Sequence, residues 1–266
     1  MSSALRQRIT TAIIIGIPIL ALVFYSNVSR LAFLAMVAMA MSWEYLALFK
    51  NQLKSQMFKW ISLACSIAML TVAIIAQKDF LQWALPISLI VNAYLIFELL
   101  SGKDSLQSKA PAIWNILYIS LPLSCLISFS EDSHFAMILI SSLFLIWVSD
   151  IGAYFVGSST GKRKLFPSIS PGKTWEGFWG GGLLTVLFSY AFFSYYKVFD
   201  VPSWAIIAIL VWLTGSLGDL VESKIKRHLK VKDSSNIMPG HGGFLDRFDA
   251  FIFCLPFVLT FIHYFK

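Results

Sequence analysis

Charge is the scarcest property of this sequence. Only 13% of its 266 residues are Asp, Glu, Lys or Arg, about half the share of an ordinary soluble domain, while 58% are hydrophobic. That balance excludes a water-soluble globular core. Paired cysteines are also missing. Cys65, Cys125 and Cys254 lie singly inside apolar runs with no CxxC pair, so no disulfide framework is expected and they read as small packing residues. Long Ser-, Gln- or Pro-rich tracts are absent, which argues against disorder. No internal repeat is visible. The apolar runs do not alternate with polar residues, which argues against a membrane β-barrel.

What the chain has instead is apolar runs of about 20 residues, the length that crosses a bilayer. Backbone groups in lipid must pair internally, so these runs predict helices. Nine are expected, over 9–26, 30–49, 58–76, 80–100, 111–129, 134–157, 175–196, 203–222 and 244–264. The expected fold is therefore all-α, a polytopic membrane helix bundle. Arg6 and Arg8 precede the first run and no small-residue cleavage site follows, so that run reads as a membrane helix.

Basic residues orient the bundle. Alternate polar segments place sixteen Lys and Arg on one side: Arg6 and Arg8, Lys50 to Lys59, Lys103 and Lys109, Lys162 to Lys173, and Lys224 to Lys232. The other side has only Arg30, Lys78, Lys197 and Lys266. The positive-inside rule puts the rich side, and with it the N-terminus, in the cytoplasm. Topology and acidic substrates explain the net charge of +7 better than nucleic acid does.

Eight acids lie in or beside spans, mostly near their cytoplasmic ends: Glu44, Glu98, Asp150, Glu176, Asp219, Glu222, Asp246 and Asp249. Ionisable groups at that depth are costly and face an internal or wet cavity. Six of the eight follow position 149. Residues 1–133 therefore read as membrane scaffold. Residues 134–266 read as the catalytic part, with cytoplasmic loops 158–174 and 223–243. Glu44 and Glu98 read as side chains that reach the interface.

The strongest polar block runs from Ser223 to Asp249. If the eighth helix continues past the membrane, Asp219, Ser223 and Lys226 share one stripe at i, i+4 and i+7. A carboxylate, a hydroxyl and an ammonium on one stripe suit a metal–phosphate complex. Asp246 and Asp249 share a face in the first turn of the last helix. They are either helix-start residues favoured by the dipole or, with Asp219 opposite, cation ligands. His241 stands among Gly240, Gly242 and Gly243 as a base, a phosphate donor or a turn residue. Cysteine partners for a zinc site are missing.

A second constellation holds Asp150 and the run Ser170-Pro171-Gly172-Lys173-Thr174-Trp175-Glu176-Gly177. Gly172-Lys173-Thr174 is similar to the end of a Walker A loop, but Pro167 stands where that loop needs its first glycine. Lys173 and Thr174 open a helix, where free N–H groups attract anions; the alternative is a lysine that only anchors the helix start. Gly177, Gly180, Gly181 and Gly182 are assigned to close helix packing.

Ser223, Ile225-Lys226-Arg227, Lys232-Asp233, Ser235, Pro239, His241-Gly242-Gly243-Phe244 and Asp246-Arg247-Phe248-Asp249 together resemble the signature of the phosphatidate cytidylyltransferase family. Met238 replaces another bulky apolar residue of that pattern. The resemblance covers about 145–255 closely; the first half is similar only in being membrane helices. It implies transfer of CMP from CTP to phosphatidate, with Mg²⁺ as one or two cations. It also implies a membrane-embedded homodimer; with the asymmetry of basic residues, the expected place is the bacterial inner (plasma) membrane with the site facing the cytoplasm.

On this reading Asp219, Asp246 and Asp249 bind cations. Lys173, Lys226, Arg227, Lys232 and Arg247 contact phosphate. Ser170, Thr174, Ser223, Asp233 and His241 line the pocket, and Asp150 orients a basic residue. A lipid-alcohol kinase using CTP would share the nucleotide site. A transporter would place its polar groups at the midplane. A CDP-alcohol phosphotransferase would carry an Asp-Gly-x-x-Ala-Arg run, which is absent.

Overall fold

The computed structural model describes residues 21–53, 55–101, 109–132, 134–238 and 242–266. Among these, the helices are α1 Asn27–Leu48, α2 Gln56–Ser101, α3 Pro111–Asn115, α4 Leu121–Ile127, α5 Phe135–Thr160, α6 Trp175–Tyr196, α7 Val201–His228 and α8 Leu245–Phe265. A π-helical turn, Ile116–Ser120, joins α3 to α4. The bundle is helical as expected, with one exception. Within the stretch expected as loop 158–174, β1 Lys164–Phe166 pairs antiparallel with β2 Ser170–Thr174.

Six helices are long and apolar enough to cross a membrane: α1, α2, α5, α6, α7 and α8. The expected spans 58–76 and 80–100 run on as the single 46-residue α2. At 1.5 Å per residue a straight helix of that length would be about twice the hydrocarbon thickness. It is not straight: Gln77 has φ 42° and ψ −111°, so helical geometry breaks there into two arms, at the boundary expected between residues 76 and 80. The expected span 111–129 is a shorter apolar segment, Pro111–Ile127. Its π turn precedes Pro122, whose ring clashes with the carbonyl four residues earlier and whose missing N–H interrupts the ladder. Of the expected span 9–26, residues 9–20 lie outside the described residues and 21–25 are helical.

The first and second halves share one core. In the first half, buried Asn115 donates to Ser62 Oγ (3.0 Å) and Ser66 Oγ (3.2 Å), and Ser120 Oγ donates to Ser66 Oγ (2.7 Å). These bonds tie α2 to the α3–α4 segment where apolar attraction between helices in lipid is weak. Asn92 Nδ2 then reaches the Phe253 carbonyl of α8 at 2.9 Å.

The second half packs through glycine. A Cβ on Gly181 would stand 2.6 Å from the Ser149 carbonyl oxygen, and one on Gly177 would stand 2.6 Å from that of Ala153. The α5 and α6 backbones are therefore in direct contact. The chain reverses through the hairpin, and Thr174 starts α6 by accepting the Gly177 N–H at 3.1 Å, as a threonine cap does. This sets Lys173, the residue before the cap, against α7.

Gly181→Ala forces the two backbones apart, because the obstruction is a carbonyl rather than a flexible side chain. Overpacking of this kind costs about 1–3 kcal/mol. Thermal unfolding in detergent should show a clearly lowered midpoint; an unchanged midpoint would mean that α5 and α6 are not in this contact.

Candidate active site

The α7 helix carries the framework. It continues to His228, so the expected stripe exists: Ser223 Oγ donates to Asp219 Oδ1 at 3.1 Å, and Lys226 follows one turn later. The α8 helix comes close because Gly218 has no side chain. A Cβ there would meet Phe253 at 2.5 Å and the Asp249 carbonyl at 3.0 Å. The acids of α7 and α8 thus meet across a narrow seam, where the Asp219 and Asp249 charges interact.

Two ion pairs hold the seam. Lys173 Nζ, from the end of β2, lies 2.7 Å from Asp219 Oδ2 and also donates to the Ser216 carbonyl at 3.4 Å. Lys226 Nζ lies 2.5 Å from Glu222 Oε2 and 2.6 Å from Asp246 Oδ1. The pairs differ in exposure. The Lys173 and Asp219 side chains are 27% and 38% exposed, whereas Glu222 is 1% and Asp246 6% exposed. The first pair is open to solvent, whereas the second is buried framework.

Glu222 received no site role from sequence, although its i, i+4 spacing to Lys226 was a usable signal. Glu44 differs more. Instead of reaching the interface it is 1% exposed. It accepts from Ser234 Oγ (3.0 Å), Ser235 Oγ (2.7 Å), Phe244 N–H (3.0 Å) and Leu245 N–H (2.9 Å). Glu98 is also buried, bonded to Tyr94, while its backbone carbonyl accepts from Lys224.

Asp246 uses both oxygens on its own loop. It accepts from Ser234 N–H (2.9 and 3.1 Å), Ser234 Oγ (3.0 Å) and Gly243 N–H (2.8 Å), besides Lys226. Gly242, at φ +83°, makes the turn that brings the Gly243 N–H round to it. Asp249 is buried and accepts from the Ala250 N–H at 2.7 Å.

Beside the Lys173–Asp219 pair lies a cleft of about 360 Å³. Asp150, Tyr154, Gly172, Lys173, Thr174, Phe178 and Ser216 are among its lining residues. Asp150 is near enough to Asp219, Lys173 and Arg247 to interact with their charges. The helix α5, the hairpin, α6 and α7 therefore all contribute to one wall.

Other expected site residues are placed differently. Thr174 is buried as the cap of α6, and Ser170 pairs with Phe166 in the hairpin. Arg227 spends Nε on the Ile169 carbonyl (3.3 Å) and Nη1 on the Val231 carbonyl (3.0 Å), tying the hairpin to the loop after α7. Lys232, Asp233 and Arg247 are exposed. His241 lies outside the described residues.

Five carboxyl groups, Asp150, Asp219, Glu222, Asp246 and Asp249, meet three basic groups, Lys173, Lys226 and Arg247. The difference must be met by protons or by a cation. Among the described residues no three His, Cys, Asp or Glu side chains form a ready-made cage. The arrangement fits a hard cation that keeps waters and takes phosphate oxygens beside one or two carboxylates, as Mg²⁺ does. Asp219, held among the described residues only by Ser223 Oγ and the part-exposed Lys173, and Asp249 suit that role better than Asp246, whose oxygens are tied to Lys226 and to its own loop.

Lys226→Met leaves Glu222 and Asp246 buried without their shared ammonium. Breaking a buried pair costs about 3–5 kcal/mol, so the variant should unfold well below Lys173→Met, whose partner is wetter. Equal shifts in the thermal midpoint of the two variants would contradict the division into framework and exchangeable pair.

The cytidylyltransferase family model matches residues 6–265, nearly the whole chain. Relatives agree. A phosphatidate cytidylyltransferase of Bacillus subtilis is 53% identical over 116 residues, covering 43% of each chain. One of Staphylococcus saprophyticus is 36% identical over 229 residues, covering 81% of this chain and 86% of its own. One of Staphylococcus aureus is 35% identical over 219 residues, covering 78% and 82%.

Proposed function

Because the chain belongs to the cytidylyltransferase family, we propose that it transfers CMP from CTP to phosphatidate at the Lys173–Asp219 and Lys226–Asp246 cluster. The products are CDP-diacylglycerol and pyrophosphate, and the activity is that of a nucleotidyltransferase of phospholipid biosynthesis. The observation that carries the assignment is the solvent-reachable Lys173–Asp219 pair. It stands at the wall of the 360 Å³ cleft and is backed by the buried Glu222–Lys226–Asp246 set.

The chemistry needs little more than such a site. A phosphate oxygen of phosphatidate attacks the α-phosphorus of CTP. A new P–O bond forms, the bond from the α-phosphorus to the bridging oxygen breaks, and its electron pair leaves with pyrophosphate. The nucleophile is already anionic, so no protein nucleophile is required; the protein positions the groups and offsets charge. The cleft beside Lys173 receives the nucleotide. Lys173 exchanges its contact with Asp219 for a phosphate oxygen, and exposed Lys232 and Arg247 add further phosphate contacts. Lys226 and Arg227 hold the surrounding loops, with Lys226 close enough to extend the positive field. Ser170, Thr174, Ser223, Asp233 and His241 shape the pocket, and Asp150 orients Lys173 or Arg247.

Asp219 and Asp249 would hold Mg²⁺, as one or two ions, with Asp246 joining only if it gave up part of its loop. When bound, Mg²⁺ polarises the phosphoryl oxygens and offsets charge that builds on pyrophosphate.

The protein is an integral membrane protein. We place it in the bacterial inner membrane with its N-terminus and this site facing the cytoplasm, where CTP is available; the asymmetry of basic residues supports this orientation. The two arms of α2, the 111–127 segment and the run at 9–26 bring the six long helices to nine spans. Residues 1–133 act as scaffold to the catalytic part 134–266. A homodimer in lipid completes the assembly, and exposed apolar side chains on α2 and α6, such as Trp60, Ile90, Trp179 and Leu183, offer surface for lipid or a second copy.

Purified protein given labelled CTP and phosphatidate should form labelled CDP-diacylglycerol and pyrophosphate; forming neither would overturn the reading. Asp219→Asn should lower kcat by about 100-fold, with partial recovery at raised Mg²⁺. Full activity of that variant at ordinary Mg²⁺ would remove Asp219 from the site. Lys173→Arg keeps the charge but changes its shape, and should also cost activity.

A further inference from the structure

Glu44 is buried, belongs to the first half of the chain, and plays no part in the chemistry above. We propose that it is a positioning residue that seats the catalytic loop and the start of α8 from outside the catalytic half. The proposal rests on the site assignment just made and extends it to α1.

The physical need is plain. The residue at the head of α8 is Phe244, which has no side chain to cap a helix, and no cap bond is made from it. The first N–H groups of a helix have no partner within it, and burying them unpaired is costly. Glu44 meets that need from another helix. Its Oε1 takes the Phe244 N–H and its Oε2 the Leu245 N–H, at 3.0 and 2.9 Å. Its negative charge also sits at the positive end of the α8 dipole.

The same carboxylate holds the loop that leads into α8. Ser235 Oγ donates to Oε1 at 2.7 Å. Ser234 Oγ lies 3.0 Å from both Glu44 Oε2 and Asp246 Oδ2, so one hydroxyl joins the two carboxylates. Gly243 is fitted to this arrangement: a Cβ there would come within 2.3 Å of Glu44 Oε2. Four donors from 234–245 thus converge on one side chain of α1. The loop they hold presents Asp246 to Lys226 and, one turn on, Asp249 to Asp219. Moving that loop moves the spacing of the charges around the reacting phosphates.

Glu44→Gln keeps one acceptor oxygen but turns an NH₂ group toward backbone donors. Supporting partners of a charged site typically cost about 10–100-fold when changed, and kcat should fall by about that factor while KM for CTP moves little. Hydrogen exchange at the Gly243, Phe244 and Leu245 amides should quicken, and Glu44→Asp should recover part of both effects. A milder variant, Ser235→Ala, removes one donor and leaves the carboxylate; it should show the same two changes in smaller degree.

Faster exchange with unchanged kcat would reduce Glu44 to a structural cap and overturn the proposal. So would lowered kcat with these amides still protected. If Glu44→Gln does not fold, normal kcat and normal exchange in Ser235→Ala would be decisive against it. Failure of the site assignment looks different: Asp219→Asn would stay fully active whatever the exchange data show.

Discussion

Everything in the second half of this protein depends on one ammonium group kept between two carboxylates. Lys226 lies 2.5 Å from Glu222 on its own helix and 2.6 Å from Asp246 on the next. Without it, α7 and α8 would bring Glu222 and Asp246 together with no counter-charge between them, and that contact would be repulsive. With it, the two helices can approach as closely as Gly218 permits. The wetter Lys173–Asp219 pair is then the one we propose meets a ligand. Pairs of unequal burial thus offset part of the negative charge that α7 and α8 bring together.

The other elements place these pairs. The glycine contact of α5 with α6 fixes the base of the hairpin, and the hairpin delivers Lys173. Arg227 ties that hairpin to the loop after α7 through the Ile169 and Val231 carbonyls. Glu44 fastens the far end of the same loop to α1. The loop is thus anchored at both ends by charged side chains on backbone groups, which lets a polar segment rich in glycine present Asp246 and Asp249 in a defined geometry.

Much of this was legible in the sequence because hydropathy and short-range spacing are local properties. The start of α6 at Trp175, the Asp219–Ser223–Lys226 stripe and the packing role of the α6 glycines follow from a few neighbouring residues each. What was not legible depended on distant partners. Glu44 in an apolar run looks the same whether it reaches the lipid headgroups or caps a helix 200 residues away. Thr174 and Arg227 sit among phosphate-binding candidates in sequence, yet both are spent on backbone groups. The break in α2 was legible, since the polar run Gln77-Lys78-Asp79 separates the expected spans 58–76 and 80–100; the hairpin at 164–174 reads in sequence only as loop because its strands are three and five residues long. The family came from a long spaced pattern of polar residues, which no single local feature supplied.

The central claim is that Lys173 and Asp219 part to receive phosphate and cation in the cleft beside them. A structure of the protein with CTP and Mn²⁺ tests this most directly. The account predicts Mn²⁺ against Asp219 and Asp249, with the Lys173 ammonium turned from Asp219 to a phosphate oxygen and the Lys226 pairs intact. A Lys173–Asp219 pair left closed, with nucleotide and metal bound elsewhere, would contradict it.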